Sequence, residues 1–182
     1  MSSSPNFDHP FWKFSLAVYG APGVADECLG LQERLQLDVN LLLFAAYVGA
    51  AEGLRLELKD ISVAADAVAT WHGEIVRGLR QARRALKPFA TASENSLHAA
   101  SAALRATVKA AELEAEKIEQ AILWDWSRKH IVAAHRDDPR MALTANLRTL
   151  MTFYGVPAGQ TEPAKVAPRL FGAAMAYVGF SL

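Results

Sequence analysis

Two groups of side chains have the type and spacing to do chemistry. The first gathers around Asp38. Asp38 precedes an apolar run over residues 39–51 and is placed to accept from the free N–H groups of a helix start. Asn40 sits two residues on, beside Leu41 and Leu43, where an amide without partners costs about 1 to 3 kcal/mol. Gln32 and Tyr19 are its expected partners. Together Trp12, Tyr19, Gln32, Asp38 and Asn40 form a candidate pocket for a small molecule or a reaction. The second group is a basic stripe, Arg77, Arg80, Arg84 and Lys87 at i, i+3, i+7 and i+10, with Arg83 beside it. It is a candidate interaction surface, set against the simpler reading that these cations complement a helix dipole.

Familiar catalytic arrangements are missing. His72-Gly73-Glu74 has the His-x-Glu of a zinc deaminase, but that chemistry needs two further thiolates and the chain has one cysteine, upstream. No histidine has a glutamate three residues before it, so the Glu-x-x-His of carboxylate-bridged bundles is missing too. There is no His-Glu-x-x-His and no Gly-Lys-Ser/Thr phosphate loop. Glu94/His98 and His130/His135 read as solvated pairs. Cys28 lies on the apolar stripe Val24, Cys28, Leu31, Leu35 and reads as a buried apolar thiol. No catalytic residue, metal ligand or cofactor is named, and the reading leans away from an enzyme.

The elements that must position these residues follow from length and pattern. A chain of 182 residues suits one domain able to bury about two thirds of its unfolded surface. Nineteen basic residues balance nineteen acidic ones, so no net field steers a polyanion and a nucleic-acid partner is not expected. Residues 1–13 lack the basic-then-apolar order of a signal peptide, and the run 39–51 is too short to span a bilayer. The cytoplasm is the expected compartment.

In chain order, 1–7 is a polar lead, and Asp8 with Pro10 opens a first helix. Phe11, Phe14, Ser15 and Val18 form one face of it, and Trp12, Leu16 and Tyr19 form another, so it is expected to be well buried. Gly20-Ala21-Pro22-Gly23 ends it. The second and third helices complete an N-terminal core over 8–54. A long helical hairpin is predicted over 60–130. Its first arm, capped by Asp60 or Ser62, has core positions Ile61, Ala65, Val68, Trp71, Ile75, Leu79, Ala82 and Leu86, and Pro88 ends it. Its second arm, from Ser93 and Glu94 to His130, spans about 55 Å. A hairpin folded about residues 90 and 91 sets Arg80 near residue 101 and Glu116 near residue 65. The basic stripe and the acidic stripe Glu112, Glu116, Glu119 should then miss each other within one molecule and remain for a partner. C-terminal helices over 139–182 start at Asp138-Pro139. The last, from residue 164 to 177, is followed by an apolar tail through Phe180 and Leu182.

The string Phe11-Trp12-x-Phe14-Ser15-Leu16-x-Val18-Tyr19, Pro22-Gly23-Val24, Cys28-Leu29-x-Leu31-Gln32, Asp38-Val39-Asn40-Leu41-Leu42-Leu43-Phe44 resembles an uncharacterised proteobacterial family defined by this N-terminal signature. The resemblance implies a bacterial, non-secreted protein and names no reaction. The combined expectation is an all-α, single-domain bundle of about six to seven helices with a long antiparallel hairpin. It acts as a helical interaction or regulatory module on a protein partner or a second copy. The alternative is a small-molecule pocket at the junction of the first three helices.

Overall fold

Asp38 does open the helix around which its neighbours pack. In the computed structural model, which describes residues 7–91, 97–131 and 136–179, its carboxylate accepts from the Asn40 N–H at 2.8 Å. Every residue from Asn40 to Ala50 is buried. The elements are α1 (Pro10–Tyr19), α2 (Val24–Leu35), α3 (Val39–Ala50), α4 (Leu58–Thr70), a π-helical turn (Trp71–Val76), α5 (Arg77–Ala85) and α6 (Lys87–Thr91). They continue with α7 (His98–His130), α8 (Pro139–Phe153), a 3₁₀ turn (Ala158–Gln160), α9 (Pro163–Val166) and α10 (Pro168–Tyr177). The fold is all-α, with more segments than the six or seven expected. Single-residue breaks at Leu86 and Ala167 divide two of the predicted helices, the second ahead of Pro168, whose ring cannot continue a helical ladder. Ser93, Glu94, His135 and the tail 180–182 lie outside the described residues. None of the described helices is long and apolar enough to cross a membrane.

The chain forms two compact units, one of Met1–Ala67 with Gln120–Leu182 and one of Val68–Glu119. In the first, α3 packs most extensively on α8. The approach is tight at Gly49, where an added Cβ would lie 2.6 Å from the Leu143 Cα. Asn146 of α8 is wholly buried and clamps the segment after α3: its Oδ1 accepts from the Leu56 N–H at 2.7 Å, and its Nδ2 donates to the Leu54 and Ala45 carbonyls. The predicted buried face of α1, Phe11, Phe14, Ser15 and Val18, is buried. The other is not, because Leu16 is 55% exposed. Nor does Asp8 cap α1. The residue in the cap position is His9, whose Nδ1 accepts from the Trp12 N–H at 3.1 Å, while Asp8 pairs with Lys13. Gly23 sits at φ 76° at the start of α2, a left-handed conformation that favours glycine.

The second unit holds the part of the hairpin from Val68 to Glu119. Its first arm keeps the expected apolar face only through Val68. The π-helical turn then inserts one extra residue, and at about 100° per residue that rotates everything beyond it. Val76 is buried in place of Ile75, which is 40% exposed. Arg80 and Arg83 turn toward the second arm, while Leu79 and Leu86 are half-buried and Ala82 is exposed. The predicted core series is therefore corrected from Ile75 onward. Pro88 does not end the arm either. It lies in the first turn of α6, where the missing N–H costs nothing, and helix continues to Thr91.

Candidate functional site

Of the five candidate pocket residues, the structure links Asp38 and Asn40, both buried. The Asp38 N–H donates to the Tyr154 hydroxyl at 3.1 Å, and Asn40 Oδ1 accepts from Gln120 Nε2 at 2.9 Å. Neither Tyr154 nor Gln120 was singled out by the sequence, since they lie 116 and 80 residues away from their partners and no local spacing marks them. Gln120 is 3% exposed, and its Oε1 is buried with no hydrogen-bond partner among the described residues. Trp12, Tyr19 and Gln32 are half-buried, in α1 and α2. The junction thus contains an acceptor-rich polar cluster beside an apolar helix. On α2, burial pushes the Cys28 thiol up to about 12, helped by the Glu27 charge, so it is no nucleophile at neutral pH.

The basic stripe divides in two. Arg77, Arg84 and Lys87 are exposed. Arg80 donates from Nε to Glu112 at 3.0 Å and from Nη2 to Glu116 at 2.7 Å, and Arg83 forms an ion pair with Glu112. The two stripes therefore meet inside the hairpin, contrary to expectation, because the first arm is still helical at Thr91, past the expected fold at 90 and 91, and the π turn faces the cations inward. Burial alone would raise the Glu112 carboxyl, but hydrogen bonds from Arg83 and Arg80 outweigh it and hold the group below the usual carboxylate range. The same contacts raise Arg80 against its own burial, and the Glu112 hydrogen bond raises Arg83.

One turn of the same arm carries a second polar contact. His72 Nδ1 lies 3.0 Å from Glu119 Oε1, and Glu119 is wholly buried. Trp71 Nε1 donates to the Ala115 carbonyl at 2.9 Å, one helical turn before Glu119. The His72-Gly73-Glu74 motif is thus not the relevant grouping. The carboxylate His72 meets is 47 residues away on α7. In the first unit, an open groove of about 350 Å³ along α8 is lined by Arg55, Arg140 and Arg148. Asp137 and Glu162 pair with two of these arginines and leave the groove close to charge balance.

No match occurs among curated proteins, and none among solved structures. Residues 10–123 of the 182 match a family model described as a protein of unknown function, DUF2390, a span that takes in Asp38, Asn40 and Gln120, the first arm of the hairpin and most of the second. On that match, the chain belongs to the DUF2390 family of proteins of unknown function.

Proposed function

We propose that this protein is a helical interaction module of the bacterial cytoplasm that self-associates through the outer face of its hairpin. The observation that supports this is the set of large apolar side chains that the two arms leave exposed, of which Ile75 is turned outward by the π-helical phase shift. Ile75 is 40% exposed, Phe89 55%, Leu97 64% and Leu104 53%. A second copy suits this face because Arg80, Arg83, Glu112 and Glu116 are paired within the hairpin, which removes the like-charge repulsion that unpaired stripes would bring to a symmetric contact. A lone thiol suits the reducing cytoplasm. Sedimentation velocity over a wide concentration range tests the reading. A dimer that Leu104→Glu converts to monomer, with helicity unchanged, supports it. A monomer at every concentration overturns it.

A second reading has one observation in its favour. The Gln120 Oε1, buried beside Asn40 with no hydrogen-bond partner among the described residues, would suit a small ligand offering a hydrogen-bond donor at the Asp38 junction. Thermal-shift screening against metabolites tests that reading, and no stabilisation by any compound would count against it.

A further inference from the structure

We propose that His72 and Glu119 hold a divalent first-row transition-metal ion within the hairpin unit. Two ligand atoms each about 2.1 Å from an ion and at right angles to one another lie about 3.0 Å apart. His72 Nδ1 and Glu119 Oε1 stand at 3.0 Å. A tetrahedral edge is longer, about 3.4 Å at the same bond length, so the separation favours a six-coordinate ion. Mixed imidazole and carboxylate ligation suits Mn²⁺ or Co²⁺, and also Zn²⁺ when its coordination expands.

Three features of the hairpin support this. Glu119 is fully buried, and buried carboxylates are paired with charge or coordinate metals. The His72 side chain keeps 19% of its surface exposed, so the contact is open to water on that side. His72 also lies in a π-helical turn, a feature that recurs at functional sites because it re-aims side chains an α-helix would place elsewhere. Trp71 is the positioning residue: its bond to the Ala115 carbonyl fixes the rotation of the turn against the helical turn that carries Glu119. With an ion on Nδ1 the imidazole keeps its proton on Nε2, so binding needs no other reactant.

The test is isothermal titration of the full, metal-stripped chain with Mn²⁺ and Zn²⁺, with the Mn²⁺ electron paramagnetic resonance signal as a second readout. The expected result is one ion per chain, with affinity falling about tenfold or more in both His72→Gln and Glu119→Gln. Should the buried Glu119→Gln fail to fold, His72→Gln, with unchanged helicity by circular dichroism, decides alone. Two results would overturn the proposal. One is no saturable binding of either ion up to about 1 mM. The other is binding that His72→Gln leaves unchanged, the mark of an ion held elsewhere on the surface.

Discussion

Arg80 and Glu112 face each other across the hairpin, Nε 3.0 Å from Oε1, with only 14% and 7% of their side chains exposed. The pair occupies ground that a regular amphipathic hairpin fills with leucine. A second acceptor, Glu116, and a second donor, Arg83, complete the network. Ion pairs this enclosed hold the two arms in one register, because a slip of one turn would strand a charge away from water. The arrangement follows from the π-helical turn at Trp71–Val76, which brings Arg80 and Arg83 against the second arm and leaves Ile75 exposed.

Glu112→Ala tests how much the network holds. The substitution removes the acceptor of two guanidinium groups and leaves Arg83 without its carboxylate partner. The expected loss is about 3 kcal/mol, the scale for breaking one side of a buried pair. Urea unfolding followed by circular dichroism measures it. A loss under about 0.5 kcal/mol would place the pair among surface bridges of little consequence.

The same network sets a pH dependence. Glu112 has its folded carboxyl held below the ordinary range, so its contribution is fully present above the unfolded value, about pH 4.3, and is lost as pH falls through the folded value. Thermal melts between about pH 7 and 3 should show stability dropping below about pH 4.3 more steeply in the natural chain than in Glu112→Gln. Equal slopes would assign the acid sensitivity to other carboxylates.

Much of the fold was legible because helix signals are local. Asp38 and Asp138 each read as a cap and each accepts from backbone N–H groups two residues on. Phe11, Phe14 and Val18 read as a buried face and are buried. What failed in the first arm comes mainly from the assumption of an unbroken 3.6-residue period. The series through Trp71 predicted Ile75, Leu79, Ala82 and Leu86 as core, and past a single inserted residue Ile75 and Ala82 are exposed while Leu79 and Leu86 are only half-buried. Pro88 was read as a stop when it serves as a start. The candidate site was less legible, since Asn40 with Gln120 and His72 with Glu119 are tertiary pairs, 80 and 47 residues apart, between side chains common on any helix.

Asn146 carries a comparable burden in the first unit. Its carboxamide satisfies the Leu56 N–H and the Leu54 carbonyl, both buried with it. Asn146→Ala leaves them without partners, and at about 1 to 3 kcal/mol for each unsatisfied group the expected loss is about 3 kcal/mol. Asn146→Asp is expected to be worse still, because it sets an acceptor against the Leu54 and Ala45 carbonyls. Urea denaturation of both variants checks the order, and an Asp variant as stable as the natural chain would refute the clamp.

Gly49 tests the closest approach between α3 and α8. A Cβ there would fall 2.6 Å from the Leu143 Cα and 2.7 Å from its backbone nitrogen, atoms that cannot swing aside as a side-chain tip can. In an isolated helix Gly→Ala is favourable by about 1 kcal/mol, so propensity and packing pull in opposite directions at this position. Overpacking against backbone costs about 1 to 3 kcal/mol and more where neither helix can retreat, and α3 is buried along nearly its whole length. Packing should win, with Gly49→Ala lowering the melting temperature by several degrees. Gly30, whose added Cβ would meet nothing within 4 Å, provides the internal control. Gly30→Ala should raise stability by a few tenths of a kcal/mol to about 1 kcal/mol. A Gly49→Ala protein as stable as Gly30→Ala would mean that the two helices move apart at no cost.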